Sequence, residues 1–276
     1  MTDFVLGAVA YDPKVVTIWT GFRDWFLRHE FPFDYVLYSH YERQVEDLVN
    51  GRIAVAWNSP LAWVRARRLD ANVHALAMRD TDRDLTSVVV VRADSPVQSI
   101  ADLEGTTVGV GAVDSPQATL LPLAHLHANG VDVKVRRFDV GVGLHGDHVG
   151  GERDAARALM AGEVDAACMI DGNHLQFTHE GTLPSGATRI IAQTPPFDHC
   201  NMTIGPTAPS DLAERFGHLL LGMDYADPDL RQLFDLEGLR RWCDGRTYGY
   251  APLERAVDQL AFYDSEGNVI AREYRP

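Results

Sequence analysis

The sequence predicts an α/β protein of two lobes, each a mostly parallel sheet flanked by helices, with a helical extension at the C-terminus. Three observations carry that expectation. Strand-like and helix-like segments alternate from Phe4 onward, the pattern of parallel sheets with crossover helices. The alternation is broken at Asp94-Ser95-Pro96 and again at Pro195-Pro196, and between those breaks it starts afresh. Val88–Val91 is an unbroken apolar run, which suits a strand covered on both faces. A chain of 276 residues also exceeds what one small core organises. The expected division is 1–95 plus 197–276 as a discontinuous first lobe, with 96–196 inserted as the second and two crossings between them.

In order, Phe4–Tyr11 reads as a strand, Asp12-Pro13 as a turn, and Val15–His29 as a helix. Trp19, Phe22, Trp25 and Phe26 recur on that helix at core-facing spacing. Phe33–Tyr38 is a second strand and Tyr41–Asn50 a second helix, stopped by Gly51. Ile53–Trp57 is a third strand, and Asn58-Ser59-Pro60 opens a third helix. Val73–Met78 and Leu85–Arg92 are strands separated by the polar turn Arg79–Asp84. Ser99–Gly105 forms a short capped helix, Thr107–Gly111 a strand, Ser115–Asn129 a helix and Val131–Asp139 a strand. Residues 143–171 combine a loop with His145, Asp147 and His148, a helix over 152–163, and an apolar strand ending on Asp171. Such a unit presents polar groups at the ligand-facing edge of an open sheet. A helix near His174–His179 and a strand over Thr188–Thr194 follow. Beyond Pro196, Cys200–Ile204 is strand-like, and helices are expected at Ser210–Leu221, Pro228–Phe234 and Leu253–Phe262.

Composition narrows the function. The net charge of −14 disfavours nucleic acid, which needs clustered positive charge. No run approaches the ~18–20 apolar residues of a membrane span. Lys14 and Lys134 are the only lysines, and neither is placed as a buried Schiff-base amine. Pyridoxal phosphate is therefore not expected, and a nucleotide cofactor is not expected either. Cys168, Cys200 and Cys243 are odd in number and far apart, which suits a reducing compartment better than a disulfide framework. The N-terminal segment lacks the basic region of a signal peptide. A cytoplasmic protein is the expectation.

Four stretches resemble the phosphonate-binding components of ABC importers, within the type-2 periplasmic-binding fold. They are LVNGRIAVAWNSPLAW, DSPVQSIADLEGTTVGVG, SPQATLLPLAHLHANGVDVKVRRFD and GDHVGGERDAARALMAGEVDAACM. The resemblance implies two lobes around a cleft, an anionic or zwitterionic ligand such as a phosphonate, phosphate or carboxylate, and an ABC permease as partner if the chain is exported. It maps ligand contacts onto Ser59, Ser115, Gln117, Ala118, Thr119, His148 and Asp171, to which Tyr11, His40 and Asn58 are added from their places at strand ends. Helix N-termini independently favour anions at Ser59 and Ser115. The chain also gathers imidazoles unusual for that family. His40, His145, His148 and His199 form a candidate set for zinc or iron(II), and His148, His199 and Cys200 are candidate catalytic groups. The alternative is therefore a cytoplasmic enzyme of lyase or hydrolase type on the same scaffold.

Overall fold

The computed structural model describes residues 4–139 and 148–274. The first lobe begins with β1 (Phe4–Val9), α1 (Lys14–Arg28), β2 (Phe33–Tyr38), α2 (Tyr41–Val49), β3 (Val55–Asn58), α3 (Pro60–Leu69) and β4 (His74–Arg79). It is completed by β10 (Asn201–Ile204), α7 (Ser210–Leu221), α8 (Pro228–Glu237), β11 (Trp242–Asp244) and α9 (Ala251–Gln259). Its sheet runs β11-β4-β10-β3-β1-β2, with β1 parallel to β2 and β3 and with β10 antiparallel to both of its neighbours. Trp19, Phe22, Trp25 and Phe26 of α1 are buried, as their spacing predicted, in one core with Phe216 and Phe234.

The second sheet is β7 (Lys134–Arg137), β6 (Thr107–Val110), β8 (Ala166–Ile170), β5 (Ser87–Arg92) and β9 (Thr188–Gln193), in that spatial order. A wide π-type helical turn at Pro116–Leu120 runs into α4 (Leu121–Ala128), and α5 (His148–Met160) and α6 (Asp171–His179) flank the sheet. The whole valine run of β5 is buried. Val88 and Val90 pack on Ala155 and Leu159, while Val89 and Val91 pack on Leu103 and Leu126.

That strand corrects the expected division. β5 pairs antiparallel with β8 and β9, so it belongs to the second lobe, and the first crossing lies at 80–86 instead of near 95. Asp94-Ser95-Pro96 is a turn within the second lobe, held by Arg189 Nη2 donating to the Ser95 carbonyl at 2.8 Å. A proline-bearing turn marks a chain reversal whether or not it also marks a lobe boundary. Residues 194–200 connect β9 of the second sheet to β10 of the first.

The two crossings are stitched together. Leu85 and Phe197 exchange backbone hydrogen bonds of 2.9 and 2.8 Å. Asp198, fully buried, accepts from Arg246 Nε at 2.7 Å and Nη2 at 2.5 Å, and Arg246 also pairs with Asp84 of the first crossing at 2.8 Å. Tyr250 donates its hydroxyl to the His199 carbonyl and accepts from Asn201 Nδ2. The C-terminal helices are as expected, whereas the three-residue β11 is too short to carry a period-two signal.

Candidate ligand cleft

In both lobes the loops that follow parallel strands converge on the gap between the sheets, where ligands sit in open α/β folds. The segments after β1 and β3 supply Tyr11, Lys14 and Ser59 from the first lobe, and the turn after β6 supplies Gln117 from the second. His148, the first residue of α5, lies on the second-lobe wall, while His199 and Cys200 come from the return crossing. The cavity they enclose measures about 640 Å³, a size for a small molecule.

On the first-lobe side Ser59 caps α3, its Oγ accepting from the Ala62 amide at 3.2 Å, with Pro60 following at the first helical position. On the second-lobe side Ser115 does the same for the π-type turn, accepting from the Ala118 amide at 3.2 Å. Gln117 donates from Nε2 to Glu152 Oε1 at 3.1 Å. Glu152 is fully buried, and its other oxygen accepts from the Ile170 amide and Asn173 Nδ2. Its three donors hold the Gln117 amide in one orientation, leaving Gln117 Oε1 a buried acceptor without a partner among the described residues.

The first-lobe floor carries a charge network that the sequence did not reveal. Arg79, at the end of β4, donates from Nε and Nη2 to the two oxygens of Asp82 at 2.5 and 2.8 Å. Its Nη1 reaches Glu237 Oε1 at 3.3 Å, and its guanidinium lies 5.3 Å from the centre of the Trp57 ring. Asp82 is held down at about 2, because Arg79 and His199 outweigh its burial. Burial pushes Glu237 up to about 7, with Arg79 opposing. Tyr41 and Trp57 complete the wall. Arg79 and Asp82 sit in the segment that composition marked only as a polar turn, and Glu237 lies over 150 residues away on α8. Local patterning carries no signal for either pairing.

The predicted residues divide. Tyr11, Ser59, Gln117, His148, His199 and Cys200 line the cavity together. Asn58 is instead buried within the sheet, donating to Thr203 Oγ1 at 2.8 Å and accepting from Gln44 Nε2 at 2.8 Å. Ser115 and Ala118 are buried behind the wall, and Thr119 donates to the Ala112 carbonyl and faces a separate cavity. Asp171 is tied to the first crossing through the Thr86 hydroxyl at 2.8 Å. His40 precedes α2 outside the lining, and His145 lies outside the described residues.

The expected four-histidine metal set is not assembled among the described residues. One trio comes within reach of a shared ion, Asp82, His199 and Cys200, and it includes a single member of that set. The trio fits a divalent cation poorly. Both Asp82 oxygens are engaged by Arg79, and burial drives the Cys200 thiol well above its ordinary value, so the proton stays on sulfur. The same effect argues against Cys200 as a nucleophile, although His199 Nδ1 lies 3.1 Å from its sulfur.

A profile described as the periplasmic substrate-binding protein of the phosphonate ABC transporter matches residues 9–244. The chain belongs to that family. The probable ABC transporter phosphite binding protein PhnD1 of Prochlorococcus marinus is 24% identical over 224 residues, which are 75% of this chain and 71% of that protein. The solved structure of Prochlorococcus marinus PhnD1 with methylphosphonate aligns at a TM-score of 0.70 and 16% identity, covering 94% of this chain and 98% of the other. The periplasmic aliphatic sulphonate binding protein SsuA of Escherichia coli aligns at 0.58 and 16% identity, over 94% and 86%.

Both likenesses place the fold among the type-2 periplasmic binding proteins, and the family binds small ligands in the interlobe cleft. Membership also corrects the cytoplasmic expectation, since the family is periplasmic. A missing basic N-terminal region and unpaired cysteines were the basis of that expectation, and neither outweighs a match across most of the chain. No helix among the described residues is long and apolar enough to cross a membrane.

Proposed function

We propose that this chain captures a small oxyanion of the phosphonate or phosphate class between its lobes and delivers it to an ABC permease. The observation that carries the reading is the meeting, across one cavity, of the capped N-terminus of α3 on the first lobe and the Gln117 turn on the second. Amides in a helix's first turn have no partner within the helix, and the helix dipole favours negative charge beside them. Ligand contact with both walls would draw the lobes together, so affinity and closure are the same event.

Gln117 Oε1 refines the class. A buried acceptor needs a donor, and leaving it unmet costs about 1–3 kcal/mol. A phosphonate or phosphate monoanion retains an O–H that can supply one, whereas a sulfonate retains none. Isothermal titration of the protein with methylphosphonate, phosphate and methanesulfonate tests this. Saturable binding of the phosphorus oxyanions, with methanesulfonate weaker by about tenfold or more, is expected from one unmet buried acceptor. Failure of every phosphorus oxyanion to bind would refute the reading, and equal binding of the sulfonate would remove Gln117 from selectivity.

A further inference from the structure

Behind the turn that carries Gln117 lies a second cavity of about 290 Å³, whose lining shares no residue with that of the cleft. One wall is Thr119, Leu120 and Leu123 of the second lobe, and the other is Leu260, Phe262 and Ala271 of the C-terminal region. The size is near the lower bound for small-ligand pockets, and the mainly apolar walls are of the kind such pockets need. Thr119 adds little polarity, because its hydroxyl donates to the Ala112 carbonyl at 2.7 Å. The charged part of the lining is Arg137 of β7 with Arg272 and Glu273. Arg137 donates from Nε to Glu273 Oε2 at 2.9 Å. Its Nη1 is buried and meets no acceptor among the described residues.

We propose that this cavity is a second ligand site, which takes a short aliphatic carboxylate with its chain between the leucines and Phe262 and its head on Arg137. Burying the chain removes apolar surface from water on both partners. The head supplies the acceptor that Nη1 lacks, and the two terminal nitrogens of a guanidinium present paired donors that a carboxylate accepts in parallel. Arg137 keeps 29% of its side chain exposed, so its guanidinium can rotate toward an entering ligand. Glu273 is a weak competitor, because its side chain is 69% exposed and surface ion pairs contribute little. An inorganic oxyanion would meet Arg137 but leave the apolar walls uncovered, so the chain is part of the ligand class. The occupant would lie between the second lobe and the C-terminal segment, against the back of the Gln117 turn.

The test is isothermal titration of the full chain with hexanoate, acetate and hexan-1-ol. Saturable binding of hexanoate is expected, with acetate and hexan-1-ol weaker by about tenfold or more, since one lacks the chain and the other the charge. Arg137→Met keeps an apolar stem and removes the guanidinium, and it is expected to weaken hexanoate by about tenfold or more. Ala271→Phe, which fills the cavity from the opposite wall, is expected to abolish binding. Neither residue lines the cleft, so hexanoate bound there would be indifferent to both changes. Unchanged hexanoate affinity in either folded variant would overturn the inference. So would a wild-type protein that fails to bind hexanoate, or binds it no better than acetate or hexan-1-ol, and that series needs no variant to fold. The oxyanion reading of the cleft stands or falls separately, by the methylphosphonate titration.

Discussion

Glu237 is a carboxyl whose buried setting moves it well away from the ordinary value of its type. A carboxyl raised by burial to about 7 from its ordinary 4.5 binds a proton in the folded chain that the unfolded chain has already lost. Between those values the folded state holds more protons, so unfolding free energy falls as pH rises through that window. Asp82 acts in the opposite sense. Held at about 2 against an ordinary 3.8, it contributes stability above 3.8 that is lost as pH falls toward 2. The groups facing Glu237 are Arg79, Asp82, Lys14 and the Trp57 indole. From about pH 4.5 to pH 7.5 the urea midpoint of the wild-type protein should therefore fall relative to that of Glu237→Gln as pH rises. Parallel curves would show that the carboxyl titrates normally in the folded state.

At the scale of elements, the hinge depends on one arginine. Arg246 makes two bonds to the buried Asp198 of the return crossing and one to Asp84 of the first. Arg246→Met would leave Asp198 charged and buried with a single backbone donor, the Asp84 amide at 3.2 Å. Breaking a buried pair from one side costs roughly 3–5 kcal/mol. Loss on that scale is expected in urea unfolding, and a loss below about 1 kcal/mol would place the clamp among surface ion pairs. The Ser59 and Ser115 caps were legible at this same scale, because Ser-Pro before an apolar helical segment is a local signal. Cleft lining was less so. Ser115, Ala118 and Thr119 share a turn with Gln117, yet only Gln117 reaches the cavity, because a π-type turn presents its residues at angles that an α-helical reading does not anticipate.

Across the whole molecule, two crossings and the C-terminal region set how far the lobes can move. Leu253 and Phe262 pack in one cluster with Leu61 and Trp63 of the first lobe and with Leu120 and Leu121 of the second. Arg137 of the second lobe pairs with Glu273 at 2.9 Å. The C-terminal segment therefore bridges both lobes, which favours a restricted closing motion about the crossings over free separation. Small-angle scattering should show the radius of gyration falling when methylphosphonate saturates the protein. An unchanged radius in the presence of demonstrated binding would mean that the cleft is already closed without ligand.

Local physics in the chain was enough to specify the α/β alternation, the apolar face of α1 and both helix caps. Those features depend on neighbours within a turn or two. Tertiary structure alone decided that β5 crosses into the second lobe, that Asn58 and Asp171 turn into structural hydrogen bonds, and that Arg79 meets Glu237. Such outcomes depend on pairings between strands and helices far apart in sequence. A buried charge is then held by whichever distant partner the fold delivers to it, and no local spacing encodes that partner.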